Sequence, residues 1–568
     1  MNGTPGLSHL HAQLAAARDT SDSAAELAAL TALGDASRTA NDPRSAVRYY
    51  EQALVLARQT GLPARLNDHH DRLLRDLAQT CLAIGETRRA ITLYEERLGL
   101  ARDANDRYEQ GNLLNSLANA WATLGDLRHA ISLYEARLNI ARDVGDRYGE
   151  ASTLSSLGSA YQRLGQSERA LAYYQQYLAT VRTLGNPALI VQALSNLGSM
   201  FQSLGDLPRA IEHYEQWLAF ARVFNDRRDE ADALGHLGDA QYQVGQVHRA
   251  IEAYTRQLEI ERSLANPRGE ANTLSQLGLT YISLGEVRQA IVYFELALKL
   301  SRNMHDRLIE SGVLGNLGHA YFQLGELTTA ATYFQQQLAL SRARNDSATE
   351  ASTLFKLGQI YEQLSQLTEA IAAYQQALQL HERLGDLFNV GQALTALGNA
   401  YLDSGSPRHA ISCYDQRLAL ARDQHDNRAE ATTLGSLGHA HYRVGQVTRA
   451  TDLFERQLAL ARAIGDRQIE ASALNSLGMV YQNNGDHRRA IGYLEQVLHL
   501  HRAQAQRAEQ ATVQWQIALA LRDLGDHDSA LQRAHQAIDL FNQLGLPFAS
   551  TARAQLATWR RNPVPVSA

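Results

Sequence analysis

The sequence predicts an all-α protein: a right-handed superhelical solenoid of about thirteen helix–turn–helix repeats closed by a C-terminal capping helix. Three observations carry this. Alanine recurs every 40 residues at Ala90, Ala130, Ala170, Ala210, Ala250, Ala290, Ala330, Ala370, Ala410, Ala450, Ala490 and Ala530, with no insertion. A Leu-Gly pair keeps the same period, from Leu157-Gly158 through Leu197-Gly198 to Leu477-Gly478. Asp or Asn fills one further column without a break from Asp106 to Asp466. A fixed period is the signature of an array whose units bury their apolar faces only by stacking.

Taken in order, residues 1–23 read as an N-terminal segment with a short capping helix, and the array as residues 24–545. An early copy, Leu33-Gly34 with Ala46, stands 44 residues before Leu77-Ala78, so four extra residues are expected in the loop from Leu62 to Asn67. One interior period, residues 146–184, serves for the others. Leu154, Leu157, Tyr161 and Leu164 recur at steps of three and four, which is one face of a helix. Asp146 precedes that helix as its N-cap, and Gly165 follows it as a left-handed stop. The second helix sets Ala170, Tyr174, Leu178 and Val181 on one face. Asp42-Pro43, Asn186-Pro187, Asn266-Pro267 and Ser406-Pro407 pair a cap with proline at the first helical position.

The alanine column is expected where the two helices of a repeat approach closely. The aromatic four residues on (Tyr94 to Phe454) is expected to fill space toward the next repeat. The column at Ala297 elsewhere accepts Arg137, Tyr177, Trp217 and Gln257, so it reads as tolerant of size. A more degenerate copy, Ile517-Ala518 with Ala530, ends the array. Residues 546–561 read as a capping helix with Leu556 and Trp559 inward, and 562–568 as a flexible tail.

The Leu-Gly-x-x-Tyr run, a glycine seven residues after that Gly and an alanine five further on resemble the tetratricopeptide repeat (TPR) family. The 40-residue period, with Gly145-Asp146-Arg147 and Glu150-Ala151, resembles the long repeats of Partner-of-Inscuteable-type adaptors and of bacterial regulator-associated arrays. The resemblance implies a scaffold that binds peptides or holds partners. The family's groove asparagine before the Leu-Gly pair is kept only at Asn196 and Asn316, among Ser116, Ser156, His236, Gln276, Lys356, Ala396, Ser436 and Ser476.

Composition narrows the classes. Across 568 residues, 45% are hydrophobic and 20% charged, which is a folding composition. A formal charge of −6 argues against general affinity for nucleic acid or anionic lipid. No signal peptide or membrane span is read, and with two distant cysteines, Cys81 and Cys413, a cytoplasmic location is the default. No phosphate-binding glycine loop, His-Glu-x-x-His run or paired-cysteine motif occurs, so no catalytic residue, cofactor or metal is expected. The arginine column (Arg102, Arg142 and on to Arg502) reads in two ways. It closes the second helix and meets the Asp or Asn four residues on, as Arg142 with Asp146, or it forms a ladder for acidic or phosphorylated peptides.

In this family the first helix of each repeat lines the concave surface, which locates the candidate site. The column four residues after the Leu-Gly glycine reads Gln162, Gln202, Tyr242, Ile282, Phe322, Glu362, Leu402, Tyr442, Gln482. With neighbouring columns it yields a groove of His236, Tyr242, Leu279, Ile282, His319, Phe322, Phe355, Lys356, Leu402, His439, Tyr442, Arg443 and Met479, unless the apolar members serve only to pack adjacent first helices together. The expected partner is a protein or peptide with apolar anchors and acidic residues. The leading function is a non-catalytic adaptor binding an extended peptide or partner helix. The alternative is a regulatory sensor whose superhelix changes pitch on binding a signal peptide.

Overall fold

The structure, a computed structural model, describes residues 6–60 and 67–561. The expected insertion loop and the expected tail at 562–568 lie outside the described residues. The chain divides into two compact units, Met1–Thr280 and Tyr281–Ala568. Among the described residues the secondary structure is twenty-eight α-helices.

In the first unit, α1 (Leu7–Asp19) precedes six helix pairs. The first helices are α2 (Ser23–Thr39), α4 (Asn67–Ala83), α6 (Arg107–Thr123), α8 (Arg147–Arg163), α10 (Pro187–Ser203) and α12 (Arg227–Gln243). Each is followed by its second helix: α3 (Pro43–Thr60), α5 (Thr87–Asp103), α7 (Leu127–Val144), α9 (Ser167–Leu184), α11 (Leu207–Val223) and α13 (Val247–Ser263). The unit boundary falls inside α14 (Pro267–Ser283). The second unit begins its second helices with α15 (Val287–Asn303). It continues with α16 (Arg307–Gln323), α17 (Leu327–Ala343), α18 (Ser347–Gln363), α19 (Leu367–Leu384), α20 (Leu387–Asp403) and α21 (Pro407–Asp423). It closes with α22 (Asn427–Arg443), α23 (Val447–Ile464), α24 (Arg467–Asn483), α25 (His487–Ala503), α26 (Arg507–Leu524), α27 (His527–Gln543) and α28 (Phe548–Arg561). In α28, Leu556 is buried and Trp559 stacks on Trp515 of α26 with ring centroids 5.3 Å apart.

Local chemistry sets the boundaries. The Asp column caps first helices: Asp146 Oδ1 accepts the Gly149 N–H at 2.8 Å, and Asp306 accepts from Leu308 and Ile309. Turns inside a repeat use glycine in the left-handed region, such as Gly165 at φ +73°, with Ser365 a departure at φ +60°. Turns between repeats use glycine at Gly145, Gly185, Gly385 and Gly465, and other residues elsewhere, including Asn225, Ala265, His425 and Ala505.

Packing inside a repeat turns on the alanine and glycine columns. Ala170, Ala210, Ala370 and Ala410 are fully buried between their two helices. The aromatic column reaches the next repeat, as Tyr214 does by stacking on His236 with ring centroids 5.4 Å apart, and it is also fixed within its own. Its ring folds back onto the glycine of its own repeat: a Cβ on Gly158 would lie 2.5 Å from Cε1 of Tyr174, and one on Gly358 equally close to Tyr374. The glycine exists because the ring needs its space.

Two expectations are corrected. The column at Ala297 is no surface column: Ala297 is fully buried, and so nearly are Arg137, Tyr177 and Trp217. The variety in size there is matched by the opposing first helix, for Gln257, Gln337 and Gln457 press on Gly235, Gly315 and Gly435. Where a glutamate stands eight residues on, as it does for seven arginines of the helix-end column, the arginine meets it and not the Asp or Asn four on. Arg142 Nε donates to Glu150 at 2.8 Å, and Arg222, Arg342 and Arg462 repeat the contact with Glu230, Glu350 and Glu470. The Asp is already engaged by backbone N–H groups, which leaves the glutamate one turn later as the acceptor. Arg142, Arg342 and Arg462 also reach Gln176, Gln376 and Gln496 on the second helix of the following repeat.

Candidate partner-binding surface

The columns on which a ligand would rest are set partly by buried hydroxyls. Each core tyrosine must hydrogen-bond its phenol, because an unpaired buried O–H is costly. Tyr174 and Tyr214 donate to Gln162 (3.0 Å) and Gln202 (2.9 Å), and Tyr374 donates to Glu362 (2.7 Å). Tyr254 and Tyr414 instead use Asp239 (2.5 Å) and Asn399 (2.6 Å), one turn earlier. Where the ring is phenylalanine no acceptor is needed. At Phe334 these positions hold His319 and Phe322, and at Phe454 they hold His439 and Tyr442. Each of these core tyrosines thus has an acceptor in one of the two columns, and the other column is free to be apolar, as at Tyr242 and Leu402.

Exposure sorts the predicted residues. Tyr242, Leu279 and Met479 are large apolar side chains open to solvent, at 38%, 41% and 36%. Ile282, Phe322, Phe355, Leu402 and Tyr442 are half-buried. Phe322 and Phe355 pack on the core beside Phe334 and Leu354, Leu402 beside Tyr414, and Tyr442 beside Phe454. His236, His319, Lys356, His439 and Arg443 are exposed. The structure divides these residues between the units: His236, Tyr242 and Leu279 belong to the first, the remaining ten to the second.

The cations and imidazoles differ in their company. His236 stacks on Tyr214 with centroids 5.4 Å apart. His439 sets its edge on Phe454 (5.0 Å) and shares a 3.2 Å hydrogen bond with Ser476 Oγ. Desolvation, then the Arg443 charge, lowers the His439 pKa; desolvation and Lys356 do the same at His319. Both imidazoles are thus held toward the neutral form. Lys356 bonds Gln359 at 3.4 Å, and neither Lys356 nor Arg443 has an ion-pair partner among the described residues. The helix-end arginines, by contrast, are largely neutralised by their glutamates.

Sequence reasoning missed the second-helix side chains that reach between adjacent first helices. A cleft of about 390 Å³ is lined by Thr432, Ser436, His439 and Ser472 with Gln457 at its wall. A second, of about 360 Å³, is lined by Phe355, Tyr374, Gly391, Asn399 and Arg417. The signal was present, since a glycine 22 residues before each glutamine marks the contact. Elsewhere, burial pushes the Cys81 and Cys413 thiols up to about 11. Among the described residues no three His, Cys, Asp or Glu side chains gather as metal ligands, and no helix is long and apolar enough to cross a membrane.

Family models described as tetratricopeptide repeat match residues 29–64, 73–108, 109–183, 189–263, 229–303, 269–343, 309–383, 349–423, 429–503 and 475–544. No curated protein matches the chain. Among solved structures, BtubC (BKLC) from P. vanneervenii is 22% identical at a TM-score of 0.36, covering 39% of this chain and 92% of its own. The Signal Transduction ATPase with Numerous Domains protein with a tetratricopeptide repeat sensor from Pyrococcus horikoshii is 13% identical at a TM-score of 0.44. That match covers 68% of this chain and 55% of the other. RapI in its apo form is 13% identical at 0.38, covering 49% and 99%.

Proposed function

The chain belongs to the tetratricopeptide repeat family, and from that premise we propose that it is a protein-interaction scaffold whose first-helix surface captures an extended peptide or partner helix. The peptide carries apolar anchors and acidic residues. The observation that supports this is the contrast in charge pairing. Seven of the ten helix-end arginines meet glutamates of the chain itself, whereas Lys356 and Arg443 on first helices have no acidic partner among the described residues. Unpaired cations beside exposed or half-exposed apolar side chains suit a short acidic, apolar segment.

Panning a displayed random-dodecamer library on the full-length chain tests the proposal. Enriched peptides should combine large apolar residues with Asp or Glu. Lys356→Glu with Arg443→Glu should abolish the acidic preference, and both sites are exposed, so the melting temperature should hold. Met479→Ala, in the same unit as Lys356 and Arg443, should weaken the enriched peptides severalfold at unchanged melting. Phe322→Ala is a less clean probe, because its ring also packs on the core. Failure to enrich any peptide, or enrichment indifferent to the charge reversal, refutes the reading.

A further inference from the structure

One second-helix position carries arginine three times in the described array, at Arg97, Arg137 and Arg417, and the three have different company. Arg97 of α5 is 5% exposed and held by two carboxylates. Its Nε and Nη2 donate to Asp71 at 2.7 and 2.8 Å, and Nη2 donates to Glu109 at 2.7 Å. Arg137 of α7 is equally buried, and its Nη2 donates to Asp146 at 2.7 Å. In these repeats the position is a carboxylate receptor satisfied from within the chain.

Arg417 of α21 occupies the same register with the acids removed. Asp71 stands 26 residues before Arg97; the corresponding residue before Arg417 is Gly391. Glu109 stands 12 residues after Arg97; the corresponding residue after Arg417 is Ala429. Asp426 corresponds to Asp146 but caps the Ala429 N–H at 2.9 Å and makes no bond to Arg417. The Arg417 Nη1 is buried and has no hydrogen-bond partner. Nor does any described carboxylate form an ion pair with this guanidinium. The guanidinium leans over the space Gly391 leaves open: a Cβ there would lie 3.0 Å from its Cζ and Nε. It lines the 360 Å³ cleft together with the Phe355 ring. Glu362 also borders the cleft, with its Oε2 engaged by the Tyr374 hydroxyl.

We propose that Arg417 and Phe355 form a subsite for one acidic side chain of the bound peptide, in which the ligand's carboxylate takes the place that Asp71 and Glu109 fill at Arg97. A part-buried guanidinium without a counter-charge is unfavourable, and a planar carboxylate satisfies its fork with two parallel hydrogen bonds. The repeat architecture itself shows that this position accommodates carboxylates. The Phe355 ring supplies an apolar wall for the methylenes of the acidic residue or for its neighbour. The subsite rests on the peptide-binding reading above and adds a residue outside the first helices.

The test uses a synthetic acidic peptide from the panning set and its twin with Asp or Glu changed to the amide, with affinity read by fluorescence anisotropy. Arg417→Gln should weaken the acidic peptide at least tenfold and the amide twin less than twofold. Gly391→Asp, which restores an internal acid in the Asp71 position, should weaken the acidic peptide likewise without lowering the melting temperature. It carries the test if Arg417→Gln unfolds. Inorganic phosphate should compete no better than chloride at equal ionic strength; selective displacement by phosphate would overturn the assignment to a carboxylate. If both variants bind the acidic peptide as tightly as the parent, while Lys356→Glu with Arg443→Glu abolishes binding, the subsite is refuted and the groove reading stands. If the parent enriches no peptide, both fall.

Discussion

The Arg137–Asp146 pair offers the sharpest test of how charge is handled inside the array. The Arg137 side chain is 6% exposed and that of Asp146 15%, and Nη2 lies 2.7 Å from Oδ2. Asp146 also caps α8 through its other oxygen. Asp146→Asn keeps the cap, since asparagine serves at Asn186, where its Oδ1 accepts from Ala188 at 3.1 Å. The variant's single acceptor oxygen is then committed to the cap, and its amide N–H₂ faces the guanidinium. The loss therefore reports an orphaned buried charge. Removing one partner of a buried pair costs about 3–5 kcal/mol, and partial exposure of Asp146 argues for the lower end, about 3 kcal/mol. Asp466→Asn is the control. Asp466 caps α24 in the same way, but its partner Arg428 is 71% exposed, so the cost should stay below about 1 kcal/mol. Because neighbouring repeats share interfaces, global unfolding need not be two-state, and amide hydrogen exchange in α8 and α24 is the better readout.

The pH dependence has a definite sign. Burial raises the Asp146 pKa, but the hydrogen bonds from Arg137 and the Gly149 N–H outweigh it and hold the carboxyl below its usual value. A depressed folded pKa means the stabilisation is full above the unfolded value near 4 and is lost as pH falls through the folded value. The gap between parent and Asp146→Asn should therefore close in acid. Equal protection in the two variants at neutral pH, or a gap that survives full protonation, would refute the argument.

Three other outcomes are expected. Gly358→Ala should destabilise by about 1 kcal/mol or more by thermal melting, because its Cβ would meet the Tyr374 ring at 2.5 Å; Gly478→Ala, facing Leu494 at 3.1 Å, should be neutral or gain up to about 1 kcal/mol of helix propensity. Ser365→Gly and Ala505→Gly should each stabilise by about 1 kcal/mol in denaturant titrations, since both residues sit in the left-handed region at φ +60° and +55°. Ala290→Leu should cost about 1–3 kcal/mol, and Ala297→Gln should also destabilise, because both alanines are fully buried.

The helices and their boundaries were legible because the period repeats the same local chemistry many times. Asp146, Gly165 and the Leu154 face each have nearly a dozen counterparts, so chance is averaged out. Relations across helices were harder. The Tyr174 ring and Gly158 are 16 residues apart in different helices, and nothing in one helix face reveals that the second exists for the first. The arginine column was read against its nearest acid, Asp146, whereas geometry gives it Glu150. The column of Phe322 and Leu402 allows both groove and packing readings, and only the structure shows that these two rest partly on the core. Arg417 escaped notice because its distinction is the lack of acids at Gly391 and Ala429, visible only once Arg97 shows where they belong.

The hydroxyl of the buried ring has a consequence for anyone who wishes to redesign this surface. A tyrosine at the Tyr374 position requires that one of two surface columns present an acceptor, whereas a phenylalanine releases both. Where the Tyr374 column holds an aromatic ring, the chemistry of the two surface columns is thus a two-letter choice made from beneath. Grafting an apolar contact onto Glu362 alone would strand a phenol, while changing Tyr374 to phenylalanine in the same step removes the debt. A library that varies only the visible positions would carry the cost of an unpaired phenol in many members, about 1–3 kcal/mol each, and one that varies the hidden ring with them would not.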